Sequence, residues 1–150
     1  MLLQLMPEAV SRGWHEVKPH VIKALDNPDE DTMTTVLTNV LAGHIQVWIS
    51  YDEQDEQRIP NAIALTRVQI CEFTGRKTLL LYSVTRIQSI SKEVTDRMWM
   101  EAFIATSKYA IARGCVGLVA ITELDYLADK ARNLGVDTKV KYLIDIPLGG

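Results

Sequence analysis

The spacing of apolar residues predicts helices in the first third of the chain, strands in the middle, and alternating helices and strands at the end. A short strand is predicted over Leu2 to Leu5. A helix begins at Pro7-Glu8, because proline is tolerated in a first helical turn and a carboxylate suits the helix dipole. We expect Pro19 to break or restart this helix and Asn27-Pro28 to stop it.

A second helix is predicted by apolar residues that recur at intervals of three and four. Asp31 or Thr32 caps its start, and Gly43 follows its end, where glycine accepts the left-handed backbone conformation. The stripe consists of Met33, Val36, Leu37, Val40 and Leu41.

Strands are predicted through the middle of the chain, over His44 to Tyr51, Ile59 to Phe73 and Thr78 to Ile87. The polar run from Asp52 to Arg58 is expected to be a loop. The apolar run within the third of these strands, Leu79-Leu80-Leu81-Tyr82, predicts burial on both faces.

The last third predicts a long helix from Val94 to Arg113 that Gly114 ends, followed by an interior strand from Cys115 to Ile121. A further helix over Leu124 to Asn133 precedes a final strand over Thr138 to Ile146. The element order predicts one mixed α/β domain over residues 1–150, with a mainly antiparallel sheet and helices on both of its faces.

Composition narrows the classes of protein. The chain has 150 residues, with 16 Lys+Arg against 19 Asp+Glu, and this weak acidity offers no basic surface for nucleic acid. No apolar run approaches the ~20 residues that span a bilayer, so we expect no membrane association. Cys71 and Cys115 lie in apolar stretches and are expected to be buried free thiols. The short apolar start lacks a positive region and is not typical of a signal peptide, which favours a cytoplasmic location.

The segment Tyr109-Ala-Ile-Ala-Arg-Gly-Cys115, followed by an apolar strand, resembles the central helix and Arg-Gly-Cys turn of the GNAT superfamily of N-acyltransferases. The segment from Leu124 to Gly135-Val136, followed by Tyr142-Leu-Ile144, is similar to that family's last helix and final strand. The helical start, Pro7 to Leu25, is similar to short phage-encoded GNAT-like proteins. The resemblance implies a GNAT fold and acyl transfer from acetyl-CoA, or a longer acyl-CoA, to an amine.

The resemblance also implies a place for the cofactor. The backbone of Tyr82 to Val84 would hold its pantetheine arm. The family's Gln/Arg-x-x-Gly-x-Gly/Ala turn aligns with Arg86-Ile87-Gln88-Ser89-Ile90-Ser91, so that Ser89 and Ser91 stand at both glycine positions. The N–H groups near these serines would bind the pyrophosphate. Glu93 and Asp96 flank the following helix start, and their charge repels a diphosphate.

No catalytic residue is assigned from the sequence. Many family members carry a tyrosine where this chain has Ala131, and Tyr126 lies more than one turn earlier. Carboxylates that could serve as a general base are Glu53, Asp55, Glu56 and Glu72, although acidic runs of this kind are typical of solvated surface. His15, His20 and His44 lack the spacing of metal ligands, so no metal site is predicted.

The long helix predicts a second kind of function. Its apolar residues occupy more than one stripe, which fits either a buried central helix or a protein interface built on Met98, Trp99 and Met100. Two hypotheses therefore stand. The chain is an acyl-CoA N-acyltransferase, or it is a non-catalytic GNAT-fold interaction protein or virion component that has lost acetyl-CoA chemistry. The second predicts a protein partner or a homo-oligomer, in the host cytoplasm or the virion.

Overall fold

A computed structural model describes residues 1–54, 56–89, 91–121, 125–135, 137–141 and 143–149, without the side chains of residues 53, 54 and 125–127. The chain forms two compact units, Met1–Ala120 and Ile121–Gly150. The expectation of a single domain stays a prediction.

Among the described residues, the first unit contains five strands and four helices, and the second contains one helix. In chain order they are β1 (Leu2–Leu5), α1 (Pro7–Arg12), α2 (Trp14–Ala24), α3 (Glu30–Leu41), β2 (Gln46–Gln54), β3 (Gln57–Ile70), β4 (Lys77–Arg86), α4 (Lys92–Ala112), β5 (Gly117–Ala120) and α5 (Asp125–Asn133).

The strands form one sheet in the order β1-β2-β3-β4-β5. Neighbouring strands are antiparallel except for β4 and β5, which are parallel and are joined through α4. A parallel pair needs a crossover connection of this kind, because the chain must return to the end at which it started. The predicted mixed and mainly antiparallel sheet is confirmed.

Alternate residues of the central strands point to opposite faces, and each face has its own helices. The helices α1, α2 and α3 cover one face through a core that includes Val10, Val21, Met33, Ile49 and Ile63. On the other face Tyr109 of α4 meets Trp48 edge-on, with ring centroids 5.5 Å apart. Helices on both faces were predicted, and the structure confirms them.

Local chemistry corrects two expectations for the N-terminal helices. Pro19 lies inside α2, and the break between α1 and α2 occurs at Gly13 instead. The cap of α3 is Asp29 rather than Asp31 or Thr32, because the Asp29 carboxylate accepts a hydrogen bond of 2.7 Å from the Thr32 amide. Gly43 follows α3 with a φ of +81°, as predicted.

The polar run from Asp52 to Arg58 is not the predicted loop. Strand β2 continues to Gln54 and β3 begins at Gln57, so a short turn joins them. Glu56 adopts a φ of +64° in this turn. Cross-strand pairing with β3 holds these polar residues in extended form, which their hydrophilic character alone does not predict.

Burial near the sheet edge also differs from the sequence expectations. Of the run from Leu79 to Tyr82 only Leu79 is fully buried. The segment after Gly114 forms the short strand β5 at the edge of the sheet rather than an interior strand. The described residues 137–141 and 143–149 contain no strand, so the final strand is not found there. Cys71 is exposed, contrary to expectation, and Cys115 is half-buried.

Candidate functional site

Strand β4 carries a β-bulge at its midpoint. Leu65 of β3 pairs with Ser83, whereas the next residue, Thr66, pairs with Leu81. Tyr82 is therefore the extra residue of the bulge. A bulge increases the local twist and turns the following part of the strand away from a regular ladder.

The pairing of β4 with β5 ends at the same place. The last pair is Leu81 with Ala120, and in the described residues β4 has no strand partner on this side from Tyr82 to Arg86. The Tyr82 side chain is 55% exposed. An unpaired strand edge presents backbone N–H and C=O groups, so this segment can accept an extended, amide-containing ligand.

The side chains next to the bulge hold the strand in place. The Ser83 hydroxyl donates a hydrogen bond of 2.8 Å to the Ala24 carbonyl at the end of α2. Val84 faces the other way and lines a small cavity of about 20 Å³ between α4 and the sheet, together with Trp99. Trp99 therefore packs between α4 and the sheet. The Val84 side chain is turned into this cavity, so Val84 can contact a ligand on the open edge only through its backbone.

The start of α4 follows β4 closely and is already capped. The Ser91 hydroxyl accepts a hydrogen bond of 3.3 Å from the Val94 amide, and the Thr95 hydroxyl donates to the Ser91 carbonyl. Ser89 and Arg86 are exposed beside it. The predicted phosphate-binding residues thus lie along one short segment, but the Ser91 side chain occupies one of the amides that an anion would use.

Charges of both signs surround this helix start. Arg86 and Lys92 are positive, whereas Glu93 stands in the first turn and Asp96 one turn later. Asp96 makes an interaction of its own. The helix dipole favours an anion here, and the nearby carboxylates partly oppose it.

The predicted interface residues of α4 separate by face. Met98 is 7% exposed and, with Trp99, packs against the sheet, whereas Met100 is 45% exposed. Consecutive helical residues differ by about 100° in direction, so three neighbours cannot share one surface. Met100 is the exposed residue of the three and Trp99 is half-buried, and the role of these residues in an interface stays a prediction.

Of the carboxylates considered as general bases, the two whose side chains the structure describes, Glu56 and Glu72, lie in different turns. Glu72 is exposed in the turn between β3 and β4, at the opposite end of β4 from Arg86, and Glu56 is exposed in the turn between β2 and β3. Asp55 and the side chains of Glu53 and Tyr126 lie outside the described residues.

One buried polar group near the end of β4 was not expected from the sequence. Asn61 is almost fully buried, and its backbone carbonyl accepts a hydrogen bond from the Ile87 amide. Its side-chain Oδ1 is the buried side-chain atom that lacks a partner among the described residues. The only signal for Asn61 in the sequence is a polar residue that precedes an apolar run. That pattern does not specify the strand register that buries the Asn61 side chain, and the bulge at Tyr82 does not specify it either.

Two properties of the described residues bear on metal binding and on membrane crossing. No group of three or more His, Cys, Asp and Glu side chains there could hold a metal ion. No helix in the described part of the chain has the length and apolar character needed to cross a membrane.

The fold is that of the GNAT acetyltransferases. A structure of a probable acetyltransferase superimposes with a TM-score of 0.70 at 10% identity, over 100% of this chain and 99% of that one. The aminoglycoside N-acetyltransferase AAC(6')-Iy in complex with CoA gives 0.68 at 12% identity, over 99% of this chain and 93% of that one. Ribosomal-protein-alanine N-acetyltransferase from Brucella melitensis biovar Abortus 2308 gives 0.61 at 11% identity, over 97% and 99%.

Similarity in sequence is much weaker than similarity in fold. No protein-family model matches the sequence, and no curated protein matches it. The expected GNAT fold is therefore confirmed by structure alone. The resemblance to short phage-encoded proteins stays a prediction.

Proposed function

We propose that this protein is a GNAT-related N-acyltransferase that transfers an acyl group from acyl-CoA to an amine. The observation that carries the proposal is the bulge at Tyr82 together with the end of β4–β5 pairing at Leu81 and Ala120. These two features leave the Tyr82–Arg86 edge open in a fold that the CoA-bound aminoglycoside acetyltransferase shares.

The open edge fits the pantetheine arm of acyl-CoA, because that arm is extended and carries amide groups that pair with a strand as a peptide does. The phosphates would lie at the start of α4, beside Arg86, Ser89 and Lys92. The first two amides of α4 remain available there, since the Ser91 cap is bonded to the third residue of the helix. The residues of this chain therefore fit the pantetheine arm well along β4 and fit the phosphates less well at the start of α4.

The reaction requires the protein to polarise the thioester carbonyl and to provide a route for the proton that the amine loses. Acyl-CoA would supply a thioester carbonyl carbon to which the amine nitrogen bonds. The carbon–sulfur bond would break with its electron pair going to sulfur, so that CoA leaves as the thiolate, and the amine would lose a proton. The backbone N–H groups of the open edge would orient and polarise the carbonyl. The proton would pass to water or to a carboxylate, and no described side chain is assigned this role.

Binding of acetyl-CoA tests the proposal directly. We expect a rise in thermal stability with acetyl-CoA, since a ligand at 100 times its Kd stabilises the native state by about 2.7 kcal/mol. Adenosine 3′,5′-bisphosphate serves as a comparison that lacks the pantetheine arm. Glu93→Gln should tighten acetyl-CoA binding about two- to fivefold by removing a carboxylate from the helix start.

Glu8→Gln is the matched control, because Glu8 also lies in the first turn of a helix, α1, but far along the chain from the site. It should leave affinity unchanged. A protein that millimolar acetyl-CoA does not stabilise is not an acyltransferase of this class. Equal effects of the two glutamine variants would contradict the proposed position of the phosphates.

A second candidate is a non-catalytic interaction protein. It is favoured by exposed apolar residues on one side of α4, namely Met100, Ile104 and Ile111. Light scattering tests it: a self-association that Ile104→Lys abolishes would support an interface on α4. The control is Ile70→Lys, which changes an exposed isoleucine of β3. A monomer that binds acetyl-CoA tightly would exclude this alternative.

A further inference from the structure

A second concave site lies at the other end of the sheet. Lys77 begins β4 and Arg113 caps the C-terminus of α4, and both line an open cavity of about 340 Å³ in the first unit. Arg86, at the acyl-CoA edge, is nine residues further along β4, which corresponds to about 30 Å of extended strand. The two sites are therefore separate.

The described lining of this cavity is basic. Arg67, Lys77 and Arg113 contribute three full positive charges and His44 adds an imidazole, whereas no carboxylate is among the described lining residues. The chain as a whole carries a formal charge of −3. In the described part of the chain, none of the three cations forms an ion pair with a carboxylate.

Two of these cations are held in fixed positions. The Lys77 ammonium donates a hydrogen bond to the Arg113 carbonyl at 2.6 Å, which leaves two of its N–H groups for another acceptor. The Arg113 guanidinium lies over the Tyr109 ring, 4.3 Å from the centroid. A charge that is positioned in advance loses less conformational entropy when it binds a ligand.

The remaining wall is held by a buried hydrogen-bond chain. Gln46 lines the cavity, and its side-chain amide donates to the Gly43 carbonyl while its Oε1 accepts from the Thr66 hydroxyl. Trp48 donates to the same hydroxyl and also packs against Tyr109. The cavity is therefore built on the packed interior of the first unit and not on a surface loop alone.

The helix dipole explains only part of the positive charge. The C-terminus of α4 carries the equivalent of about half a negative charge, which offsets about half of the charge of one cation. Lys77 and Arg113 lie at this helix end, but Arg67 is on β3. About two and a half positive charges remain without an opposing negative charge. A ligand with anionic oxygens would supply that negative charge.

We propose that this cavity binds a small polyanion, of the phosphate or polycarboxylate class, through Arg67, Lys77 and Arg113. Arginine guanidinium groups bind both kinds of anion with paired N–H donors, and the lysine ammonium adds a compact charge. The cavity volume accommodates a small molecule rather than a polymer.

Titration with sodium pyrophosphate and, separately, sodium citrate tests the proposal, at constant ionic strength and with amide chemical shifts as the readout. We expect the shifts of Gly43, His44, Lys77 and Arg113 to move. Arg67→Gln should weaken binding about tenfold, because it removes a charge-assisted hydrogen bond. The Arg67 side chain is exposed and makes no hydrogen bond or ion pair within the described residues, so this variant should fold.

Arg58→Gln is the charge-matched control, since Arg58 is exposed at the other end of β3. It should bind both anions as the parent protein does. Tighter binding of pyrophosphate assigns the phosphate class, and tighter binding of citrate assigns the polycarboxylate class. The proposal is overturned if neither anion binds at about 10 mM, where even weak specific sites fill. It is also overturned if the two variants lose affinity equally, or if the shifts lie only at the start of α4.

Discussion

Replacement of Thr66 by valine tests whether the buried hydrogen-bond chain holds the first unit together. The Thr66 hydroxyl accepts a hydrogen bond from the Trp48 indole N–H and donates one to the Gln46 Oε1, each at 2.9 Å. All three residues are at most 4% exposed. Valine has nearly the same shape as threonine, so the change removes both bonds while the packing is kept.

The expected loss follows from the two groups left behind. A buried donor and a buried acceptor without partners cost about 1–3 kcal/mol each. The added methyl group returns about 1 kcal/mol through burial. We therefore expect Thr66→Val to lower the free energy of unfolding by about 1–5 kcal/mol, compared with the 5–15 kcal/mol typical of a domain.

Urea denaturation followed by far-UV circular dichroism measures this loss. The matched control is Thr78→Val in the neighbouring strand, whose hydroxyl accepts a longer bond of 3.3 Å from the half-exposed Gln69. It should cost less than about 0.5 kcal/mol. In a double-mutant cycle, Trp48→Phe and Thr66→Val should couple by about 1 kcal/mol, since both remove the same bond.

Two results would refute this reasoning. One is a loss below about 0.5 kcal/mol for Thr66→Val, which would mean that water or a rearranged side chain satisfies the freed groups. The other is strict additivity of Trp48→Phe and Thr66→Val, which would mean that the indole does not depend on this hydroxyl.

Three further predictions concern single side chains. Ser91→Ala should lower the free energy of unfolding by about 1 kcal/mol, because it removes the cap of α4. Ser89 makes no described side-chain bond, so Ser89→Ala should leave the free energy of unfolding unchanged. Equal denaturation midpoints for the two variants would contradict the role of Ser91 as the cap. The Thr32 amide holds the pKa of Asp29 below its usual value, so Asp29 contributes stability above its unfolded pKa that is lost as pH falls through the lower folded pKa. Asp29→Asn should make the melting temperature less dependent on pH at and below the ordinary carboxyl range, and an unchanged pH profile would argue against this contribution. Hydrogen bonds from Thr74 lower the pKa of Cys71, so this exposed thiol should react with iodoacetamide faster than Cys115. Thr74→Val should slow the reaction of Cys71. Mass spectrometry of the two cysteine peptides measures both rates, and preferential labelling of Cys115 would contradict the prediction.

The element types were largely predictable because they depend on short-range spacing. The stripe from Met33 to Val40 and the glycine at Gly43 define α3 and its end by helical periodicity and by a positive φ. The long helix that Gly114 ends was predicted in the same way, and Gly114 has a φ of +78°. Where competing signals were close together, as with Asp29, Asp31 and Thr32, only the observed amide contact identifies the cap.

The candidate site was predictable only in part. The segment from Tyr82 to Ser91 was chosen by resemblance; the comparisons confirm the fold, and the site in this segment stays a prediction. The features that give the region its chemistry were not predicted: the bulge depends on how β3 aligns with β4, and the open edge depends on where β5 stops. A one-residue change of register alters the direction of every side chain, and no local pattern specifies it.

What the amino-acid sequence determined by itself is the identity of the helices and most strands, the mixed α/β class, and the glycine, Gly43, that follows the end of α3. Each of these depends on contacts within about four residues, or on the periodicity of one element. Only the tertiary structure decided that Tyr82 stands at a bulge, that Met98 faces the sheet while Met100 faces solvent, and that Arg67, Lys77 and Arg113 line one cavity. Arg67 and Lys77 lie on the two paired strands β3 and β4, whereas Arg113 is 36 residues beyond Lys77 and meets them because the return through α4 brings its end to the same end of the sheet.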